Sequence, residues 1–139
     1  MFPFVYNDAG RIDSKRPKQK NDCTVRALSI SVKVDYDVAY DLLKYRGRKA
    51  SRGFFFPNKV SDDCALGYKF IWQSFPAVKG QKRMNPKRFA KEFPNGVYIC
   101  RTAKHVYVVL DGVVQDTRSS LLPIRPNRCI YGCWKVIKI

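Results

Sequence analysis

Apolar residues recur at helical spacing in the first half of the chain. A stripe at i, i+3 and i+7 predicts a helix over 23–31, directly after the capping residues Asn21 and Asp22. A second stripe predicts a helix from position 35 or 36 to position 45, and a Pro that follows an Asn cap predicts a third over 86–93. These three segments therefore contribute the helices that we expect to pack on the rest of the domain.

The second half favours strands. An Asp-Gly pair at 111–112 lies between two runs rich in Val, which is typical of a tight hairpin. A weaker alternation predicts a strand over 68–72, whereas 54–57 predicts a loop and 61–66 a short helical turn. Helices followed by strands are typical of an α+β fold, with the helices packed on a carboxyl-terminal antiparallel sheet. Its main strands are expected over 97–101, 105–110, 113–117 and 130–139.

The hairpin brings together two residues with complementary chemistry. If 111–112 forms a two-residue turn, Tyr107 pairs with Asp116, and His105 lies on the same face as Asp116. Such diagonal positions are ~7–8 Å apart, within reach of a carboxylate and an imidazole. The carboxylate would hold one ring nitrogen and leave the other free to act as a base. The alternative is that both are ordinary strand residues with solvated side chains.

Cys23 lies in the first turn of the first predicted helix. Backbone N–H groups and the helix dipole favour the thiolate at such a position and lower the pKa of the thiol. The same N–H groups could bind the oxyanion of a tetrahedral intermediate, together with a side-chain amide from Gln19 or Asn21. His105 is the single histidine, so any histidine-dependent catalysis has one possible location. The alternative is a small apolar side chain packed at a helix start.

A cysteine that opens the first core helix, a later histidine that starts a strand and an Asp on the next strand resemble papain-like cysteine peptidases. Over 18–37 and 96–119 the match is closest to small bacterial and phage proteins similar to double-glycine-leader peptidases. The resemblance implies Cys23 as nucleophile, His105 as general base and acid, and Asp116 as orienting residue. It also implies attack on a peptide or isopeptide carbonyl, with a thioester intermediate. The position of the family's oxyanion glutamine, six residues before the cysteine, holds a proline here, which leaves Gln19 or Asn21 for that role.

The charge balance adds a second hypothesis. Lys and Arg number 27 against 11 Asp and Glu in 139 residues, a formal net charge of +16. Such a positive field attracts nucleic acid or acidic proteins, although a solvated surface that maintains solubility is the alternative. An inactive basic module that binds nucleic acid or an acidic host protein is therefore the second function considered. The candidate residues are Lys15, Arg16, Lys18, Lys44, Arg46, Arg48, Lys49, Arg52, Lys82, Arg83, Lys87 and Arg88.

Length and composition define the remaining expectations. An apolar content of 45% excludes a disordered chain, and 139 residues suit one papain-like domain over 21–139 behind a basic arm over 1–20. Five cysteines without a secretory pattern predict a monomeric cytoplasmic protein with free thiols, in the host cytoplasm if a phage encodes it. No membrane span, metal or cofactor is expected, because the apolar runs are short and one histidine gives zinc few ligands.

Overall fold

The computed structural model describes residues 4–54, 63–116 and 128–139, without the side chains of Asp63 and Asp116. This part of the chain contains three α-helices, one short 3-10 helix at Arg11–Asp13 and seven strands. The helices are α1 (Cys23–Val32), α2 (Tyr36–Tyr45) and α3 (Pro86–Glu92). The strands are β1 (Phe4–Tyr6), β2 (Asp63–Ala65), β3 (Tyr68–Ser74), β4 (Val97–Thr102), β5 (His105–Leu110), β6 (Val113–Asp116) and β7 (Gly132–Lys138).

The seven described strands form one sheet in the order β1-β6-β5-β4-β7-β3-β2. The α+β class is confirmed, but the sheet is mixed, because β1 pairs parallel to β6 while the other neighbours are antiparallel. The hairpin register is as predicted, with Val108 opposite Gln115 and Leu110 opposite Val113. Asp111 and Gly112 adopt positive φ values of 46° and 77° in the turn between them, as a type I′ turn requires.

Two apolar layers cover the two faces of the sheet. On one face α1 and α2 pack on Val108 of β5 and Trp134 of β7. On the other face α3 places Phe89 against Tyr107 and Val109 of β5. Full burial of one such aromatic or aliphatic side chain contributes ~1.5–3 kcal/mol. The sheet is therefore held from both sides, and β5 is buried in both layers.

The helix boundaries are close to those predicted. α1 extends one residue further, to Val32, and ends where Lys33 takes a left-handed φ of 57° and donates its N–H to Ser29. The predicted cap of α3 is confirmed, because the Asn85 side chain accepts a hydrogen bond of 2.8 Å from the Arg88 N–H.

Three other predictions of element positions differ from the structure or fall partly outside the residues that it describes. The helical turn expected over 61–66 is wrong where the structure describes it: 63–65 form β2, which pairs with β3 through a tight turn. Local capping signals suggested that turn, whereas the positive φ of Leu66 and Gly67 favours a hairpin. The last strand begins at Gly132 rather than at position 130. Positions 55–57, 61–62 and 117 of the predicted elements lie outside the described residues.

The amino-terminal segment, expected as a separate basic arm, is packed on the domain. Its first described residues add β1 to the sheet beside β6. Arg16 then forms ion pairs with Asp37 at 2.6 Å and with Asp41 at 2.9 Å, and its guanidinium lies 3.9 Å from the centre of the Tyr40 ring. Arg11 reaches Asp22 at 3.2 Å. These contacts correct the prediction, because the cations that suggested a solvated arm find carboxylate partners on α2 and before α1.

One end of the sheet brings together several residues at the ends of its strands. Thr102 at the end of β4 lies opposite His105 at the start of β5. Gly132 at the start of β7 pairs with Arg101 on one side and with Ser74 on the other. We call this edge the His105 end of the sheet. Since β6 runs antiparallel to β5, its last residue lies at the same end.

Candidate active site

The fold brings Cys23 and His105 together, although 82 positions separate them in the chain. The Cys23 thiol forms a side-chain hydrogen bond with His105 and accepts a second from the backbone N–H of Val106. Helix α1 packs against β5, which places the first turn of the helix beside the first residues of the strand. The structure therefore joins a helix-start thiol and the single imidazole at the His105 end of the sheet.

The surroundings of Cys23 favour its thiolate. Burial acts to raise the pKa of the thiol, but the hydrogen bond from His105, the charge of the imidazolium and the Val106 N–H together outweigh burial and lower it. A thiolate beside an imidazolium is the activated form of a cysteine nucleophile. Cys23 is half-buried, so the sulfur is not sealed inside the core.

His105 is held at the start of β5. His105 is only 7% exposed. Its ring lies 6.1 Å from the Tyr107 ring in a stacked arrangement, and its backbone carbonyl accepts a hydrogen bond of 3.2 Å from the Thr102 hydroxyl. β6 places Asp116 opposite Tyr6 of β1, and continuation of the β5–β6 register places it opposite Tyr107. His105 and Asp116 therefore share a face, as the hairpin geometry predicted. The side chain of Asp116 lies outside the described atoms.

The side chain of Asp22 does not play the capping role that the sequence predicts, although the residue occupies the cap position of α1. Asp22 is 1% exposed and accepts a hydrogen bond of 2.8 Å from the Tyr36 hydroxyl, beside ion pairs to Arg11 and Arg26, each at 3.2 Å. Burial and the bond to Asp22 raise the pKa of Tyr36, which keeps its hydroxyl protonated as a donor. The carboxylate is thereby turned away from the first N–H groups of α1.

The two amides expected to bind an oxyanion are both engaged with the loop at 48–51. The Asn21 side-chain nitrogen donates to the Ser51 carbonyl at 2.9 Å. The Gln19 side-chain oxygen accepts from Arg48 at 3.2 Å and from the Ser51 N–H. These contacts fasten the segment before Cys23. The bonds of Gln19 engage its side-chain oxygen rather than the amide N–H groups that would donate to an oxyanion, so Gln19 and Asn21 stay predictions for that role, beside the backbone N–H groups at the start of α1.

Several residues predicted to bind polyanions have structural partners instead. Arg48 is only 4% exposed and donates to the carbonyls of Lys20 and Asn21 as well as to Gln19. No signal in the sequence separates this buried arginine from its exposed neighbours. Arg16, already described, is half-buried against acidic residues, Arg46 donates to the Cys64 carbonyl at 2.9 Å and Arg88 pairs with Glu92 at 2.9 Å. The candidates that are exposed to solvent are Lys15, Lys18, Lys44, Arg46, Lys49, Arg52, Lys82, Lys87 and Arg88.

The other cysteines have no comparable environment. Cys100 and Cys133 lie directly opposite each other on β4 and β7, both fully buried. Burial raises the pKa of Cys100 well above its ordinary value and that of Cys133 to about 12. Cys64 is exposed and Cys129 half-buried. Within the described ranges, no group of three or more His, Cys, Asp or Glu side chains is arranged to hold a metal ion.

Comparison with protein-family models, with curated proteins and with solved structures finds no match. In the described part of the chain, no helix is both long and apolar enough to span a bilayer.

Proposed function

We propose that this chain is a papain-like cysteine hydrolase that attacks a peptide or isopeptide carbonyl through Cys23. The observation that supports the proposal is the hydrogen bond between a helix-start thiol and the single histidine, in surroundings that favour the thiolate despite burial. Structural cysteines in apolar surroundings have raised pKa values and are inert, as Cys100 and Cys133 illustrate. A lowered pKa in a half-buried cysteine at a helix start is typical of a nucleophile.

Acylation begins with the thiol proton on His105. The Cys23 thiolate attacks the carbonyl carbon, a C–S bond forms, and the carbonyl oxygen takes the negative charge. The first backbone N–H groups of α1 stabilise this oxyanion, since the Asp22 carboxylate does not occupy them. The His105 imidazolium then donates its proton to the leaving nitrogen as the C–N bond breaks. The products of this half-reaction are a free amine and a thioester at Cys23.

Deacylation uses the same imidazole as a base. His105 removes a proton from water, the oxygen attacks the thioester carbon, and the C–S bond breaks to release a carboxylic acid and the thiolate. An amine in place of water would give acyl transfer by the same steps. Asp116 orients the imidazole in this scheme, in accordance with its register position on the face that carries His105.

The experiment is cleavage of a diverse peptide mixture by the full chain, read by mass spectrometry in water enriched in oxygen-18. We expect cleavage products that carry one heavy oxygen at each new carboxyl terminus, because water resolves the thioester. The matched control is Cys23→Ala, which removes the sulfur alone and should give no products. Absence of cleavage by the natural chain, together with a Cys23 that alkylates no faster than Cys64, would overturn the proposal.

The second candidate is a non-catalytic basic module, and the observation that favours it is the large set of solvent-exposed cations described above. This hypothesis predicts that the protein retards DNA or RNA in a gel. The retardation should weaken as the salt concentration rises, since binding releases counterions. Lack of binding at low salt would exclude it. Retardation that Cys23→Ala leaves unchanged, with no cleavage by the natural chain, would favour this module over the hydrolase.

A further inference from the structure

A second feature lies at the His105 end of the sheet, beyond the last residue of β3. A cavity of about 180 Å³ opens there between the end of β3 and α3. Three cationic side chains line it, Lys82, Arg83 and Arg88, together with the amide of Gln81. A water molecule occupies ~30 Å³ of liquid volume, so the cavity has room for a side-chain carboxylate.

The charges of this cavity are only partly balanced. Arg88 pairs with Glu92, while Lys82 is exposed to solvent. Arg83 is half-buried: one terminal nitrogen donates to the Phe75 carbonyl at 3.3 Å, and its guanidinium lies 5.7 Å from the centre of the Tyr131 ring. Its Nε is buried and makes no hydrogen bond with any residue that the structure describes. The three cations have one carboxylate partner, Glu92, and the buried Nε of Arg83 is a donor without an acceptor among the described residues. These two features favour an anionic occupant.

The sheet gives the in-plane separation between the cavity and β5, the strand that carries His105. Although α1 and α3 cover opposite faces of the sheet, the His105 ring stacks with Tyr107, on the face that α3 covers. From β5 to β3 the order is β5-β4-β7-β3, which is three strand spacings. At ~4.8 Å per spacing the separation is about 14 Å. The pairs Thr102 with His105, Arg101 with Gly132, and Gly132 with Ser74 show that the cavity and the histidine lie at the same end of the sheet. An extended peptide rises ~3.4 Å per residue, so about four residues span the gap.

We propose that this cavity, which we call the cationic subsite, binds an acidic side chain of the substrate about four residues from the bond that Cys23 attacks. The inference rests on the proposed function and adds a specificity to it. The substrate class is then an extended peptide with Asp or Glu at that position. The distance favours a peptide over a nucleic acid, because the cations lie within one short extended segment of His105, at the same end of the sheet, rather than along a continuous backbone track.

The test uses epoxysuccinyl peptides that extend from the electrophile in either direction and are captured covalently by Cys23 in the full chain. Each probe carries one Glu or, in its matched partner, one Gln, at positions one to six from the electrophile. We expect a Glu probe to label about tenfold faster than its Gln partner near position four, the size of one charge-assisted hydrogen bond. Lys82→Gln and Arg88→Gln should each reduce that preference. Lys91→Gln, on the same helix as Arg88 but outside the cavity lining, should leave it intact.

The outcomes separate the two proposals. Equal labelling by Glu and Gln probes at every position, with Cys23 still labelled fastest by iodoacetamide, overturns the subsite and leaves the hydrolase proposal standing. If Cys23 is not selectively labelled by iodoacetamide, the hydrolase proposal fails and the subsite fails with it. A short single-stranded oligonucleotide that blocks labelling through Lys82 and Arg88, without any Glu preference, would assign the cavity to nucleic acid and overturn the peptide proposal.

Discussion

Two thiol environments in the same domain show what activates a cysteine. Cys100 and Cys133 face each other in the β4–β7 pair, where apolar side chains surround them. Burial raises the pKa of both thiols, and the charge of Cys133 adds to the rise at Cys100. Cys23 also experiences burial as the largest influence on its pKa, yet its pKa is lowered. The difference lies in three groups that hydrogen-bond to its sulfur: the His105 imidazole, the Val106 N–H and the Thr24 side chain. Burial by itself therefore does not predict whether a thiol is reactive, because the hydrogen-bond partners decide whether its pKa is raised or lowered.

The largest expected effect is the contrast in alkylation between these thiols. At pH 7 a thiol with a pKa of about 12 is ionised to only ~10⁻⁵, whereas the lowered pKa of Cys23 gives this thiol a far larger thiolate fraction. Allowing for the lower intrinsic nucleophilicity of the more acidic thiol, we expect Cys23 to react with iodoacetamide about a hundredfold faster than Cys133. Peptide mapping of a time course measures both sites in one sample. Similar rates at the two positions would contradict the comparison.

Asp22→Asn tests whether the neighbouring buried carboxylate contributes stability rather than reactivity. The substitution removes the charge that Arg11, Arg26 and Tyr36 converge on, so we expect a loss of about 2 kcal/mol in the free energy of unfolding. Urea denaturation measures it. Because Asp22 is not among the groups that set the pKa of Cys23, the alkylation rate of the folded variant should change less than threefold. A large change in that rate would mean that the carboxylate acts on the thiol directly.

His105→Ala removes the partner that distinguishes Cys23 from the core thiols. Without the imidazole, burial would dominate and raise the pKa of Cys23, so the alkylation rate at pH 7 should fall about tenfold. In the natural chain the rate should rise with pH as the thiolate forms, with a midpoint at lower pH than that of an ordinary cysteine. In the variant that midpoint should move to higher pH. Lys104→Ala, an exposed neighbour, is the matched control and should leave the profile unchanged. An unaltered profile for His105→Ala would remove the basis for the proposed site.

The smallest expected effect is the change in the free energy of unfolding when either Cys133 or Cys23 is replaced by alanine. Cys133→Ala leaves a small cavity in a fully buried position and should cost about 1 kcal/mol in the free energy of unfolding. Cys23→Ala should change it by less than ~0.5 kcal/mol, because a half-buried functional thiol adds little packing. Thermal or urea unfolding of the two variants gives the comparison. A greater loss for Cys23→Ala would indicate a structural role for that sulfur.

Local periodicity was sufficient for most of the elements. The apolar stripe that follows Cys23 in the sequence defines the start of α1. The Asp-Gly turn fixes the strand register that places Asp116 on the same face as His105. Both depend on residues close in sequence, where capping and turn chemistry act directly. The turn expected over 61–66 failed for the complementary reason. Its capping signals were local, but pairing with β3, which itself lies between β2 and β7, stabilises a strand there.

The residues alone predict a thiol at a helix start, a single imidazole at a strand start and a strongly cationic protein. The folded arrangement adds that the thiol and the imidazole meet, that Asp22 turns from the helix start to Arg11 and Tyr36, and that Arg48 is buried rather than exposed. Local and tertiary interactions act over different distances along the chain. Backbone preferences act over a few residues, whereas the packing of α1 on β5 depends on apolar faces that come together only when the whole sheet has formed.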